Sequence, residues 1–401
     1  MRAISVLQKC LRSSLAPMHA LRRHAVLQAV QAALTGRRLT LIDIARSWPG
    51  AQWVRAPLKA CDRLLSNHHL HGERETLYAD MSRWLLRGPR PVILVDWSDL
   101  KADRSWCLLR AAVPVHGMAL PVLDMVFAGH ENGSPKAEKR FLQRLKAGVP
   151  PSVRPIVVTD AGFRTSWFQA VSALGWDWVG RLRGQALLRP VQAAEDEPWV
   201  ACRALYAQAS TRARELPVMH VTRGKRLASR VVLYRKALQG RKHRNHHGKV
   251  SSNSTSRKCA ARERDPWLLV ASPTLDTLSA SELVALYRRR MQIEASFRDL
   301  KSHRYGLGLK SSLTRSGARL QVLLLIGALA GFASWVAGLA AQADGTARRL
   351  WPNHSARQLY CTVRIGREAL TRGWPMTSID RWIQLLQSLP KNVLEQMTAP
   401  A

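Results

Sequence analysis

Acidic residues are scarce in this sequence of 401 residues, where 27 Asp and Glu stand against 62 Lys and Arg and leave a formal net charge of +35. A charge of this size repels a second copy of the chain and attracts a polyanion, so nucleic acid is the first candidate partner. Hydrophobic residues make up 46%, which excludes a disordered tail or a fibre, and the length predicts two or three domains.

Paired cysteines are absent as well. The six Cys are scattered and form no C-x-x-C motif, which argues against a zinc site and a disulfide framework and fits a reducing cytoplasm. Lys9 and Arg12 interrupt the apolar residues at the N-terminus, so no signal peptide is predicted.

Long hydrophobic runs are rare, and residues 322–341 form the one run of 20 without a charge. It is long enough to span a bilayer, and Gly327 and Gly331 have the spacing of close helix packing. Half of its residues are Ala, Gly or Ser, so its hydrophobicity is modest. A buried core helix is favoured over a membrane helix.

Residues 1–88 show helical periodicity, with two short helices, over 39–49 and 55–67, around a break at Pro49 and Gly50. Two short helices around a turn suggest a helix-turn-helix, and a plain helical bundle fits the pattern equally well. The positive charge of the second helix favours contact with DNA.

The pattern changes at Pro91, where three apolar, β-branched runs over 91–129 predict consecutive strands. Helices and strands then alternate to about residue 183, which predicts an α/β fold with a mixed sheet. Residues 184–272 are less regular and include a basic loop over 240–264. Helices follow to the C-terminus, beginning with a strong helix over 279–302.

Two apolar runs are each followed by an acid. Asp96 comes after the run 92–95, and Asp160 comes after the run 156–158, with Gly162 easing the turn. Because ligands of α/β sheets gather at the carboxyl ends of strands, the two acids can converge on one site. The alternative is that each Asp only ends a strand or caps a helix.

Glu294 is a lone acid among cations on the predicted helix. At about 100° per residue, Tyr287, Arg290, Glu294 and Lys301 fall within an arc of roughly 60°. An apolar stripe of Leu286, Ile293, Phe297 and Leu300 lies beside them and can pack on the sheet. The alternative is a solvated helix with i,i+4 ion pairs such as Glu294 with Arg298.

Three carboxylates suit two divalent cations, which prefer oxygen ligands and clamp the attacking and leaving oxygens of a phosphoryl displacement. We therefore expect Asp96, Asp160 and Glu294 to bind two Mg²⁺ ions, for which Mn²⁺ can substitute. The surrounding Lys and Arg would hold the phosphates of the substrate.

The spacing of Tyr287, Arg290, Glu294 and Lys301 matches the signature Y-x2-R-x3-E-x6-K. It resembles that of a large family of bacterial cut-and-paste transposases, insertion-sequence family four, whose catalytic triad is Asp, Asp, Glu. The segments PVILVDWSDL, VTDAGF, DPWLLVAS and YRRRMQIEASFRDLKSHRYGLGL resemble the Tn-ten transposase branch, and the resemblance covers essentially the whole chain.

The resemblance implies a ribonuclease-H-like core with Asp96 on its first strand, Asp160 after the fourth and Glu294 on a helix that follows a β-rich insertion. The implied domains are a helical DNA-binding domain (residues 1–88), the first part of the core (89–183), the β-rich insertion (184–272), the second part of the core (273–345) and a helical C-terminal region (346–401).

The resemblance also implies DNA contacts. Trp267 is the candidate for stacking on a base flipped out near the cleaved end, and ordinary packing is its alternative. Tyr287, Arg290 and Lys301 would contact phosphates near that nucleotide, and Arg298 is a further expected DNA contact.

The implied activity is excision by nicking, hairpin formation and hairpin opening, followed by joining of the 3′-ends to target DNA. A homodimer on DNA in the bacterial cytoplasm, beside the nucleoid, is expected from the family, with no membrane partner. Two other hypotheses about the function remain open: a ribonuclease-H-like endonuclease, and a non-catalytic DNA-binding protein derived from a transposase.

Overall fold

The predicted α/β class is confirmed in the structure, a computed structural model that describes residues 1–237, 249–250, 252, 254, 261, 264–352 and 358–400. Apart from the last two residues, its contacts divide the chain into a first unit of Met1–Ile156 with Arg289–Ala399 and a second unit of Val157–Arg288. Most of the predicted basic loop lies outside the described residues.

Helices occupy the N-terminal part of the first unit, as the periodicity predicts. Thr40 and Asn67 each begin a helix by accepting a hydrogen bond from the backbone N–H three residues on. Gly50, at φ 72°, lies in the predicted break between the two short helices. The helices are α1 (Arg2–Cys10), α2 (Arg12–Leu15), α3 (Ala20–Gly36), α4 (Leu41–Arg46), α5 (Arg55–Leu65) and α6 (His68–Leu85).

A three-stranded antiparallel meander follows, made of β1 (Val92–Asp99), β2 (Trp106–Pro114) and β3 (Ala119–Ala128), and then α7 (Pro135–Gly148). The register places Asp96 opposite Arg110, and Arg110 opposite Asp124. Because the β1–β2 ladder continues to Asp99, Asp96 lies within its strand. The prediction that a strand ends at Asp96 is therefore wrong.

The second unit is built mainly of strands: β4 (Ile156–Thr159), α8 (Thr165–Ala173), β5 (Asp177–Leu182), β6 (Leu187–Pro190), β7 (Val200–Ala201), β8 (Arg214–Val221), β9 (Leu227–Tyr234), β10 (Trp267–Ala271) and then α9 (Ala280–Arg288). The strands lie in the sheet order β4-β5-β10-β9-β8-β6-β7. Neighbouring β4 and β5 are joined by a helix, the connection typical of parallel strands, whereas β10 pairs antiparallel with β5 and β9, so the sheet is mixed.

Helices complete the first unit: α10 (Met291–Lys301), α11 (Gly317–Ala343), α12 (Thr362–Thr371), α13 (Ile379–Gln387) and α14 (Lys391–Met397). The charge-free run lies in α11, which is apolar enough to cross a membrane but is 94% buried over its most apolar window. It packs against α1, α3, α5, α6, β3, α12 and α13. The prediction of a core helix is confirmed.

Two glycines allow α11 and α12 to cross closely. A Cβ at Gly338 would lie 2.0 Å from the carbonyl oxygen of Thr362, and one at Gly366 would lie 1.7 Å from that of Ser334. Neither position can carry a side chain without separating the helices.

The single helix predicted over 279–302 is wrong, because the chain turns at Arg289 and Arg290, between α9 and α10. The N–H of Gln292 donates to the carbonyl of Arg289 at 2.9 Å, an i→i−3 bond that tightens the backbone. Tyr287 is buried at 4% exposure, and the face counted for it along one continuous helix stays a prediction.

Candidate active site

Two of the three predicted acids meet at one arginine. The Arg290 guanidinium lies 3.4 Å from Oδ2 of Asp96 and 2.5 Å from Oε1 of Glu294. The side chains of Arg290 and Asp96 are each 14% exposed, whereas that of Glu294 is 43% exposed and forms the open edge of the group. The N–H of Trp97 donates to Oδ1 of Asp96 at 2.9 Å. The first unit thus holds Asp96 and Glu294 around one positive charge.

Helix α10 carries Glu294 and is fixed on the meander by its apolar side. Ile293, Phe297 and Leu300 are buried, as the predicted stripe requires. Helix α10 packs against β1, β2 and β3, so Glu294 is presented over the strand that contains Asp96.

A buried ion pair beneath α10 was missed by the sequence analysis. Arg110 on β2 and Asp124 on β3 share two hydrogen bonds of 2.7 Å, and Arg110 also donates to Ser296 of α10 at 3.3 Å. Burial lowers the pKa of Arg110, but Asp124 more than offsets this and raises the pKa above its ordinary value. Each residue is the one charge in an otherwise apolar strand, and two lone opposite charges on successive strands are the signal that could have found the pair.

Lys301, at the end of α10, is tied to the same strand as Asp96. Its Nζ donates to Oγ of Ser98 at 2.6 Å. Ser98 lies two residues after Asp96, on the same face of β1. Burial lowers the pKa of Lys301 to about 8, because the charged ammonium is poorly solvated there. Lys301 is therefore held near Asp96, and its ammonium group loses its proton at a lower pH than an ordinary lysine does.

Asp160 belongs to the second unit and directly follows β4, as predicted. Its Oδ1 accepts a hydrogen bond of 2.7 Å from the N–H of Gly162. A Cβ at Gly162 would lie 2.9 Å from the same oxygen, so glycine leaves room for the carboxylate. The convergence of Asp160 with Asp96 and Glu294 stays a prediction.

The predicted aromatic contacts with DNA lie together in the second unit. Trp267 is half-buried at the start of β10, with its ring centroid 4.9 Å from that of Tyr287 and 5.7 Å from that of Tyr234. The Arg181 guanidinium lies 6.0 Å from the Trp267 ring. Arg298 is exposed on α10 of the first unit. The roles of these residues on DNA stay predictions.

The donor set suits a hard divalent cation in its chemistry. Asp96 and Glu294 supply carboxylate oxygens that already share a cation, the Arg290 guanidinium. Within the described ranges no group of three or more His, Cys, Asp or Glu is close enough to hold a metal ion. A metal at Asp96 and Glu294 would take the place of the Arg290 guanidinium, which would have to move aside.

The family model described as "Transposase DDE domain" matches residues 87–330, more than half of the chain. The match contains all three predicted acids and begins after the N-terminal helices. No curated protein matches the sequence.

Proposed function

Because the chain belongs to the transposases with a DDE domain, whose core is ribonuclease-H-like, we propose that it is a cut-and-paste DNA transposase with Asp96, Asp160 and Glu294 as its catalytic acids. The observation that carries this proposal is the meeting of Asp96 and Glu294 at Arg290. The finer assignment to insertion-sequence family four and the Tn-ten branch rests on the signature formed by Tyr287, Arg290, Glu294 and Lys301.

Contact with transposon ends is supported by the N-terminal helices. Arg55, Lys59 and Arg63 of α5 are exposed and spaced four residues apart, so they form one basic face. Trp53, just before α5, is 79% exposed. A basic helix after a turn suits the major groove of DNA. We infer that α5 contacts the transposon end, in the bacterial cytoplasm beside the nucleoid.

The chain's residues position a DNA strand for in-line displacement at phosphorus. Two Mg²⁺ ions, or Mn²⁺, would when bound polarise the scissile phosphate and activate the attacking water. Asp96, Asp160 and Glu294 would hold them. Arg290, on leaving the carboxylates, would pair with a DNA phosphate, as would Lys301.

The same acids serve each proposed step, because every step is a phosphoryl transfer. Water cleaves one strand and leaves a 3′-hydroxyl, which attacks the opposite strand to form a hairpin. The hairpin is opened, and the free 3′-ends join target DNA. Trp267 would stack on a base flipped from the hairpin, with Tyr287 and Arg298 as further contacts. Because two ends must be joined, a homodimer on DNA is proposed.

The experiment uses linear DNA that carries a transposon end, incubated with purified protein and Mg²⁺ and resolved on a denaturing gel. A hairpin product is expected. Asp96→Asn should bind the same DNA with nearly unchanged affinity and yield no nick. Asp344→Asn, the same change at an exposed acid after α11, should behave as the wild type.

Two outcomes would overturn the proposal. Nicked strands without a hairpin would identify a hydrolytic endonuclease. Binding without any cleavage by the wild type would identify a non-catalytic DNA-binding protein.

A further inference from the structure

A basic pocket of about 250 Å³ lies in the first unit, away from the paired acids. Three segments form it: the end of α3, the turn that follows α10, and one face of α12. The lining also includes His303 and Tyr305 but no acid. Its cationic residues are Arg37, Arg38, Arg304, Arg364 and Arg367.

Two carboxylates behind the pocket hold three of the five guanidinium groups in place. Glu368 accepts two hydrogen bonds of 3.2 Å from Arg37 and lies 2.9 Å from Arg364. Asp299, on α10, pairs with the buried Arg367 at 2.9 Å. Five arginines against two acids leave an excess of three positive charges (5 − 2 = 3).

The other two arginines have no ion pair among the described residues. Arg38 donates to the backbone carbonyl of His303. Arg304 lies 5.1 Å from the centre of the Tyr305 ring and is exposed. Crowding like charges costs free energy, which an anion between them would recover.

The backbone around the pocket is fixed in an unusual conformation. Arg37 has a positive φ of 58°, a region that a non-glycine residue adopts at a cost. A Cβ at Gly306 would lie 1.7 Å from the carbonyl oxygen of Asp299, so this turn requires glycine. The N–H of Leu39 donates to the carbonyl of Leu307 at 2.8 Å and joins the two segments. The arginines thus stand on a rigid frame.

We propose that this pocket binds a backbone phosphate of duplex DNA, a contact separate from the active site, and this inference rests on the proposed transposase function. Arginine forks suit phosphate oxygens, and the exposed residues 303–305 form a rim that a duplex can reach. Helix α10 joins the pocket to Glu294. The eight residues from Glu294 to Ser302 span about 12 Å of helix axis, which corresponds to about four base pairs of DNA.

The test is the salt dependence of duplex binding, measured by fluorescence anisotropy with the full chain. The double variant Arg38→Ala/Arg304→Ala removes the two arginines without an ion pair, and Arg348→Ala/Arg381→Ala removes two exposed arginines of the first unit outside the pocket. The slope of log affinity against log salt should fall by about one to two in the first variant, with about tenfold weaker binding, and stay unchanged in the control. A thermal melt checks that both variants fold.

The position of the contact is tested by replacing single phosphates with neutral methylphosphonates. Replacement about four base pairs from the cleaved bond should weaken binding of the wild type but not of the double variant. Uniform effects along the DNA would contradict the assignment.

The outcomes separate this inference from the proposed function. Nicking by the wild type together with an unchanged slope in the double variant would overturn the pocket assignment alone. A reduced slope without nicking would support the pocket and contradict the transposase. Pyrophosphate binding in calorimetry that is lost in the double variant, with an unchanged DNA slope, would assign the pocket to a soluble anion and overturn the DNA contact.

Discussion

The guanidinium of Arg290 lies 3.4 Å from the carboxylate of Asp96, across the gap between α10 and β1. The same guanidinium reaches Glu294, so two acids that would otherwise repel each other share one positive charge. The transposase signature expects Arg290 on a DNA phosphate instead. One guanidinium cannot pair with the carboxylates and with a DNA phosphate at the same time. While Arg290 stays on Asp96 and Glu294, it competes with metal ions for these carboxylates.

Arg290→Ala should lower the Mg²⁺ concentration needed for half-maximal nicking by roughly two- to fivefold, since the pair with Glu294, which is 43% exposed, contributes about 0.5–1 kcal/mol. DNA affinity should fall in the same variant, because a phosphate contact is lost. The measurement is nicking against Mg²⁺ concentration at saturating DNA. Arg144→Ala, which breaks an exposed pair with Glu75, is the control. An unchanged Mg²⁺ requirement in Arg290→Ala would refute the competition.

Trp267→Ala should slow hairpin formation more than the first nick, because stacking on a flipped base is needed only for the hairpin. Base stacking contributes about 1–3 kcal/mol, so the hairpin rate should fall roughly five- to a hundredfold. Trp267→Phe keeps a ring and should recover part of the rate. Trp199, half-buried in the same unit beneath Arg189, supplies the control Trp199→Ala. Equal loss of both steps in Trp267→Ala would mean that the residue only packs against Tyr287.

The depressed pKa of Lys301 predicts a pH dependence of DNA binding. With a pKa of about 8 the lysine is charged below that pH and neutral above it in the free protein. Binding to phosphate requires the charge, so DNA affinity should fall as pH rises from 7 to 9, by at most about tenfold per pH unit above the pKa. Lys301→Arg stays charged over this range and should remove that part of the dependence. The same fall in both proteins would show that other groups cause it.

The crossing of α11 and α12 predicts a contrast between two glycines of one helix. Gly338→Ala would place a Cβ 2.0 Å from the Thr362 carbonyl oxygen, whereas Gly331→Ala meets its nearest atom at an ordinary 3.6 Å. Overpacking of this kind costs about 1–3 kcal/mol or more of unfolding free energy, and Gly331→Ala should be neutral or stabilising. Denaturant unfolding of the two variants measures the difference. Similar midpoints would mean that the helices separate at little cost.

The sequence predicted most of the elements because their signals are local. Apolar runs marked β1 to β5, and a charge-free run marked α11. The turn at Arg289 and Arg290 carries no Pro or Gly and depends on contacts distant in the chain, so periodicity continued the helix through it. Asp96 was placed at a strand end because the apolar run 92–95 stops before it, although the hydrogen-bond ladder continues to Asp99.

The candidate site was only partly predictable for the same reason. An acid is conspicuous in a chain with few acids, and Glu294 was found in this way. An arginine is not conspicuous among 62 basic residues. Neither the double ion pair of Arg290 nor the gathering of Arg38 and Arg304 at one pocket could be recognised before segments far apart in sequence were brought together.

Helix α11 has a consequence for how the chain folds during synthesis. The helices α1, α3, α5 and α6 pack against it, yet the ribosome completes them long before residue 343 is added. Until then the faces that α11 covers are open to chaperones and proteases, although these helices already pack against one another and α6 packs against β3 and α7. A translation product that stops short of α11 would therefore keep an uncovered apolar surface on its N-terminal helices.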